Sequence, residues 1–215
     1  MGENVMKKKI YIAIPNMGNI ATDLVVNLVR WSHSTKHTIK INAPYGLFPL
    51  DNARNTIVKD FLETDYDYIW WIDDDIVPPF ETLDRLIQAD KDVIGAVCFS
   101  MKAENGEYFP YPVTLRYNDE KRYQVYYGSG IEEVDAIGGA CVLVKRRVYE
   151  SIERPYEFVY HRDGTLALTC DFRVWQKLQE LGFKVFVDFD ILCDHKKTCS
   201  IMGIQNLMVS LKKED

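Results

Sequence analysis

The 215-residue chain has no apolar run approaching the roughly 20 residues that a membrane-spanning helix requires. Before Ile10 it is polar and basic, and Ile10–Ile14 is too short for a signal-peptide core, so a cytoplasmic protein is the expectation. A long basic run is also missing, and the net charge is -6, which argues against nucleic acid or an anionic membrane as partner. Lys7, Lys8 and Lys9 read as a solvated edge of the first strand. The five cysteines (Cys98, Cys141, Cys170, Cys193, Cys199) include no CxxC pair and are odd in number, so reduced, buried thiols are expected. A zinc site from Cys193, His195 and Cys199 lacks the usual paired spacing. Repeats, low-complexity segments and linkers are absent too, which favours one domain over residues 1–215.

What is present is an alternation of strand and helix patterns. Lys9–Ile14 reads as a strand stopped by Pro15, and Thr22–Trp31 as a helix with Leu24, Val25, Leu28, Val29 and Trp31 inward. Thr38–Asn42 is a strand. Asp51 is placed to cap a helix to about Glu63 that buries Ala53, Ile57, Val58, Phe61 and Leu62. Tyr68–Ile72 and Val93–Phe99 are strands flanking a helix over Phe80–Ala89. This βαβαβαβ order predicts a mainly parallel sheet with right-handed crossovers. Ile131–Ala136 and Ala140–Lys145 are further strands, Arg146–Ile152 a short helix, and Glu153–Thr169 a loop. Asp171–Leu181 is a helix closed by Gly182, and Lys184–Val187 the last clear strand.

The informative stretch is Tyr68-Ile69-Trp70-Trp71-Ile72-Asp73-Asp74-Asp75, an aromatic strand ending in three carboxylates, followed by Pro78 and Pro79. Ligands of open α/β sheets bind at such carboxyl ends. Alternation along a strand predicts Asp73 and Asp75 on one side and Asp74 on the other. Three adjacent negative charges call for a cation, and an oxygen-preferring divalent ion, Mg²⁺ or Mn²⁺, is the simplest. A solvated turn is the ordinary alternative.

Five segments in order resemble GT-A glycosyltransferases near the broad family 2 group: Ile72-Asp73-Asp74-Asp75, Ala53-Arg54-Asn55, Val134-Asp135-Ala136-Ile137-Gly138-Gly139, Cys170-Asp171-Phe172 and His195. The resemblance implies a GT-A fold, a Rossmann-like twisted sheet flanked by helices. It also implies metal-dependent transfer of a sugar from a nucleotide diphosphate sugar, UDP- or GDP-linked, to a hydroxyl acceptor, with inversion. On it, Asp171 is the catalytic base. Asp73 meets the ribose or base and joins Asp75 and His195 in the metal set, with Asp74 beside them. Pro15, Asn16 and Gly18 hold the base, Arg54 lies near the phosphates, and Gly138 and Gly139 let backbone approach the donor sugar. Cys170 stands where such proteins usually carry Glu.

Plainer readings stay open. Asp171 can cap its helix, Arg54 can be a solvated helix arginine, and His195 a core or surface histidine. Tyr108, Phe109, Tyr111, Tyr117, Tyr123, Tyr126 and Tyr127 suit either an acceptor loop or edge-strand packing. Competing functions are a haloacid dehalogenase-type phosphatase, a nucleotidyltransferase, or a carbohydrate-binding module without turnover.

Overall fold

Alternating apolar residues after Lys8 form strand β1 (Lys9–Ala13), which sends Ile10 and Ile12 into one layer and Tyr11 and Ala13 into the other. The computed structural model describes residues 7–104, 107–120 and 122–197. Helix α1 (Thr22–Ser34) follows, then β2 (Thr38–Asn42), α2 (Leu50–Leu62), β3 (Tyr68–Ile72), a two-residue β4 (Ile76–Val77) and α3 (Thr82–Gln88). Strand β5 (Val93–Glu104) turns back into β6 (Glu107–Pro112). Short strands β7 (Thr114–Tyr117), β8 (Tyr123–Val125), β9 (Ile131–Val134) and β10 (Ala136–Ile137) lead to β11 (Cys141–Lys145) and α4 (Arg146–Glu150). A hairpin of β12 (Val159–Tyr160) and β13 (Leu166–Leu168) precedes α5 (Cys170–Glu180) and β14 (Val185–His195).

The central sheet of the described residues runs β2-β1-β3-β11-β5-β14-β4, with β6 beside β5 and β9 beside β14. Strands β2, β1 and β3 are mutually parallel, as are β5 and β14, and β11 enters antiparallel between β3 and β5. The predicted mainly parallel α/β sheet is therefore present, with one reversed strand in its middle. All five residues of β3 are buried because helices cover both faces there. One core gathers Tyr11, Trp71, Ile57, Phe61 and Trp175, from the strands, α2 and α5. The other gathers Ile12, Trp70, Leu24, Trp31 and Leu86, from the strands, α1 and α3.

Several local expectations are corrected. Helix α1 buries Leu24, Leu28 and Trp31, a narrower stripe than expected, and Val25 and Val29 face outward. Asp51 does not cap α2: Pro49 holds the cap position, and Asp51 accepts from the Asn52 amide in the first turn. Leu62 is only partly buried, while Arg54 is wholly buried. Asp171 does not cap α5 either, since Thr169 holds that place. Gly182 takes φ +85°, as its C-terminal position requires. The last strand is longer than the predicted Lys184–Val187 and reaches His195. Cys98, Cys141, Cys170 and Cys193 are free and buried, as expected, whereas Cys199 lies outside the described residues.

Two polar pins fix helices in place, one onto the sheet and one onto α2. Arg85 of α3 forks onto buried Asp188 of β14 at 2.9 Å and 3.2 Å. Arg146 of α4 donates to the carbonyls of Phe61, at the end of α2, and Tyr66, beyond it, and lies 4.7 Å from the Phe61 ring centroid. Phe61 is thus a keystone between α2, Tyr11 and α4. Phe61→Ala is expected to lower the unfolding free energy by about 3–5 kcal/mol, read as a lower denaturant midpoint at unchanged slope.

Candidate active site

The acidic triplet leaves the carboxyl end of β3 as a turn, not as continued strand: the Ile76 amide donates to the Asp73 carbonyl at 3.0 Å. The backbone there is pinned from three directions. Ala21 donates to the Asp74 carbonyl at 2.8 Å, Lys196 to that of Asp75 at 2.8 Å, and the Asp73 amide donates to Ala140 at 2.9 Å. The expected alternation therefore fails, because it belongs to extended strands. Asp73, Asp74 and Asp75 all line one cleft of about 420 Å³, together with Pro15, Asn16, Phe48, His195 and Lys197.

His195 arrives by register. Strand β4 pairs antiparallel with the end of β14, setting His195 against Ile76, one residue past Asp75. Its Nδ1 lies 2.5 Å from the Phe99 carbonyl, which can only accept, so Nδ1 carries a proton. Its Nε2 then faces Asp75 Oδ2 at 3.1 Å. In the imidazolium form Nε2–H donates to Asp75, whereas in a neutral ring the two are acceptors that a shared cation would reconcile. His195 and Asp75 are the two side chains here that could hold a divalent cation. Among the described residues no group of three His, Cys, Asp or Glu converges on one point. Burial pushes the Asp75 carboxyl up, but Lys197 and His195 outweigh it and hold it below its ordinary range. Asp74 shifts upward, chiefly through burial, although it accepts from the Met17 amide.

Arg54 is 0 % exposed, neither a solvated arginine nor open to the cleft. Its Nη2 donates to Asp73 Oδ1 at 3.1 Å, its Nη1 to the Gly139 carbonyl at 3.4 Å, and its Nε lies 3.0 Å from Asp171 Oδ1. The last contact is off the N–H axis: an ion pair without a directed hydrogen bond. Burial disfavours the guanidinium charge, yet Asp171 and Asp73 together raise its pKa above the ordinary value. Trp71 and Tyr156 wall it in, with ring centroids 5.0 Å and 5.6 Å away. The neighbouring residue explains the wall: Asn55 donates to the Tyr156 carbonyl at 2.7 Å and accepts from its amide at 3.0 Å. Tyr149 completes it, 2.6 Å from the Tyr156 hydroxyl and accepting from the Trp71 indole at 2.9 Å.

Asp73 is shifted upward, first by burial and then by repulsion from Asp171, Asp75 and Asp74, against the pull of Arg54. Gly139 lies so close that a Cβ would sit 2.7 Å from Asp171 Oδ1 and 2.8 Å from Arg54 Nη2. Gly138 instead packs on Val113. Cys170 is buried beside Asp171, its thiol pushed up to about 12 mainly by burial.

Asn16 spends its side-chain amide on the Ala43 and Pro44 carbonyls, both at 3.1 Å, tying the loop after β1 to the loop after β2. Gly18 (φ +112°) rests under the Tyr45 ring. Asp135 of the glycine-bearing motif accepts from the Tyr117 amide and shapes the β7–β10 sheet. The structure thus gathers Pro15, Asn16, the triplet and His195 around one cleft, and buried Arg54 and Gly139 with half-buried Asp171 as a cluster joined to it through Asp73. Sequence reasoning missed Lys197, 2.6 Å from Asp75 Oδ2, because it ended the last strand too early. The alternation of buried Ile191 and Cys193 with exposed Leu192 and Asp194 was the available signal.

Over 88 % of this chain and 86 % of the other, at 20 % identity and TM-score 0.58, the fold is similar to that of A197 from STIV. Over 90 % of this chain it is similar to GalNAc-T7 crystallised with UDP, GalNAc and Mn²⁺, at 9 % identity and TM-score 0.58. The fold is GT-A. The likeness spans 44 % of the GalNAc-T7 chain. No family model matches the sequence, and no curated protein matches it.

Arg54→Met keeps the volume and leaves Asp73 and Asp171 uncompensated, which is expected to cost about 3–5 kcal/mol at neutral pH. Losing the pull of Arg54 raises the folded-state pKa of Asp73 further. A raised folded-state carboxyl contributes stability that is present below the unfolded pKa and lost as pH rises through the folded one. The melting-temperature deficit of the variant should therefore shrink as pH falls from about 7 to about 4.

Proposed function

We propose that this chain is a metal-dependent glycosyltransferase that moves a sugar from a UDP- or GDP-sugar to a hydroxyl acceptor with inversion. The observation that carries the reading is the pairing of two carboxylate sites through one buried cation: Asp73 at the cleft and Asp171 beyond it, both on Arg54. GalNAc-T7, a structure of the same fold with UDP and Mn²⁺, supports the reading.

In this mechanism the nucleotide enters the cleft between the loops that Asn16 ties together, with Asp73 on the ribose. Asp75 and His195 hold a divalent cation, Mn²⁺ or Mg²⁺, which when bound neutralises the departing diphosphate. Asp171 takes the acceptor proton as the new bond forms. Arg54 lies against Oδ1 of Asp171, and its buried, walled position keeps a fixed positive charge beside that carboxylate. Gly139 presents backbone, not side chain, where the two sites meet.

A phosphatase of the haloacid dehalogenase type needs the first Asp free as a nucleophile, after the first strand. Here the motif follows β3, and Asp73 is paired with a wholly buried guanidinium. That geometry favours the transferase over the phosphatase.

Thermal stabilisation by UDP and by GDP, each with Mn²⁺ or with EDTA, tests the donor site. One nucleotide should raise the melting temperature only with metal, as ligand linkage requires, and Asp75→Ala should abolish the rise. No shift with either nucleotide overturns the reading. Asp171→Asn should keep the nucleotide shift and lower transfer by about 10²–10⁴-fold, measured as release of the nucleoside diphosphate in the presence of acceptor.

A further inference from the structure

Lys197 and the candidate metal ligands compete for one atom. Its ammonium lies 2.6 Å from Asp75 Oδ2, the same oxygen that His195 Nε2 approaches to 3.1 Å. An ammonium and a dication cannot share that oxygen without strong like-charge repulsion. We infer that Lys197 is a diphosphate contact of the cleft, whose ammonium holds Asp75 until a divalent cation displaces it onto the phosphates. This rests on the reading of the cleft as a sugar-nucleotide site.

Three features carry it. First, the backbone is held: the Lys196 amide donates to the Asp75 carbonyl at 2.8 Å. Second, the Lys197 side chain can move: it is 59 % exposed on a flexible four-carbon stem. An ion pair so exposed is weak, unlike that of Arg54, which is buried between two carboxylates. Third, the charge balance demands a partner for the donor. Among the described residues that line the cleft, Lys197 carries the one fixed positive charge against Asp73, Asp74 and Asp75. A nucleoside diphosphate entering that field is repelled by the carboxylates and attracted by this ammonium once Asp75 has another cation.

The consequence is a pair of opposite effects. The probes are Mn²⁺ alone, followed by loss of its free-ion paramagnetic resonance signal, and UDP or GDP at saturating Mn²⁺, followed by calorimetry, all on the full chain. Lys197→Met should bind Mn²⁺ roughly 1.5- to 5-fold more tightly, the inverse of what an exposed ion pair imposes on its competitor. It should bind the nucleoside diphosphate about fivefold or more weakly, through loss of a charge-assisted contact. Lys197→Arg, which keeps the charge, should leave both constants within about twofold of the parent. If the parent binds both probes and Lys197→Met fails to shift the two constants in opposite directions, the role of Lys197 falls while the donor site stands. If the parent binds neither Mn²⁺ nor either nucleotide, the donor site falls, and Lys197 with it.

Discussion

One buried guanidinium organises this protein. Arg54 sits with no solvent contact between Asp73 and Asp171, and a charge so placed is tolerable only because two carboxylates and a carbonyl surround it. The arrangement works in both directions. The carboxylates keep the arginine charged, and the arginine keeps two like charges within reach of one another. Much of the surrounding structure exists to hold it. Asn55 clamps the Tyr156 backbone, Tyr149 and Trp71 link to the Tyr156 ring, and Gly139 leaves out the side chain that would collide with Arg54 and Asp171.

The acidic cleft meets the same physical difficulty with more mobile parts. Its three aspartates are kept in place by backbone hydrogen bonds from Ala21, Ile76 and Lys196, which come from α1's approach, from the turn itself and from the end of β14. Their charge is answered by Arg54 below, Lys197 above and the His195 ring at the side. One cation is locked between two carboxylates and the other stands exposed at the cleft.

Much of the architecture was legible in the residues. The aromatic run Tyr68–Ile72 had to be a buried strand, and Pro78 and Pro79 had to end what followed. The βαβ alternation forecast the parallel strands β1, β2, β3 and β5. The antiparallel β11 between β3 and β5 was not legible, because Cys141–Lys145 is apolar throughout and strand direction leaves no trace in such a run. The site was legible as a set of residue types and less so as a geometry. Arg54 in a helix pattern reads as solvated, since charge is normally outside. Its burial depends on Asp171, which lies more than a hundred residues away in the chain.

The sequence by itself determined the ingredients: a sheet strand ending in Asp73-Asp74-Asp75, a helix carrying Ala53-Arg54-Asn55, a glycine pair, an aspartate at a helix start and a late histidine. Local pattern suffices for these, because strand burial, proline stops and helix periodicity are properties of neighbours along the chain. Tertiary structure alone decided which charges meet. The triplet lies in one cleft because it is a turn, His195 meets Asp75 because β4 pairs with β14, and Arg54 joins Asp73 to Asp171 because α2 and α5 pack on one face of the sheet. The reason is physical: a charge is priced by its surroundings in space, and those surroundings are assembled only when distant segments pack.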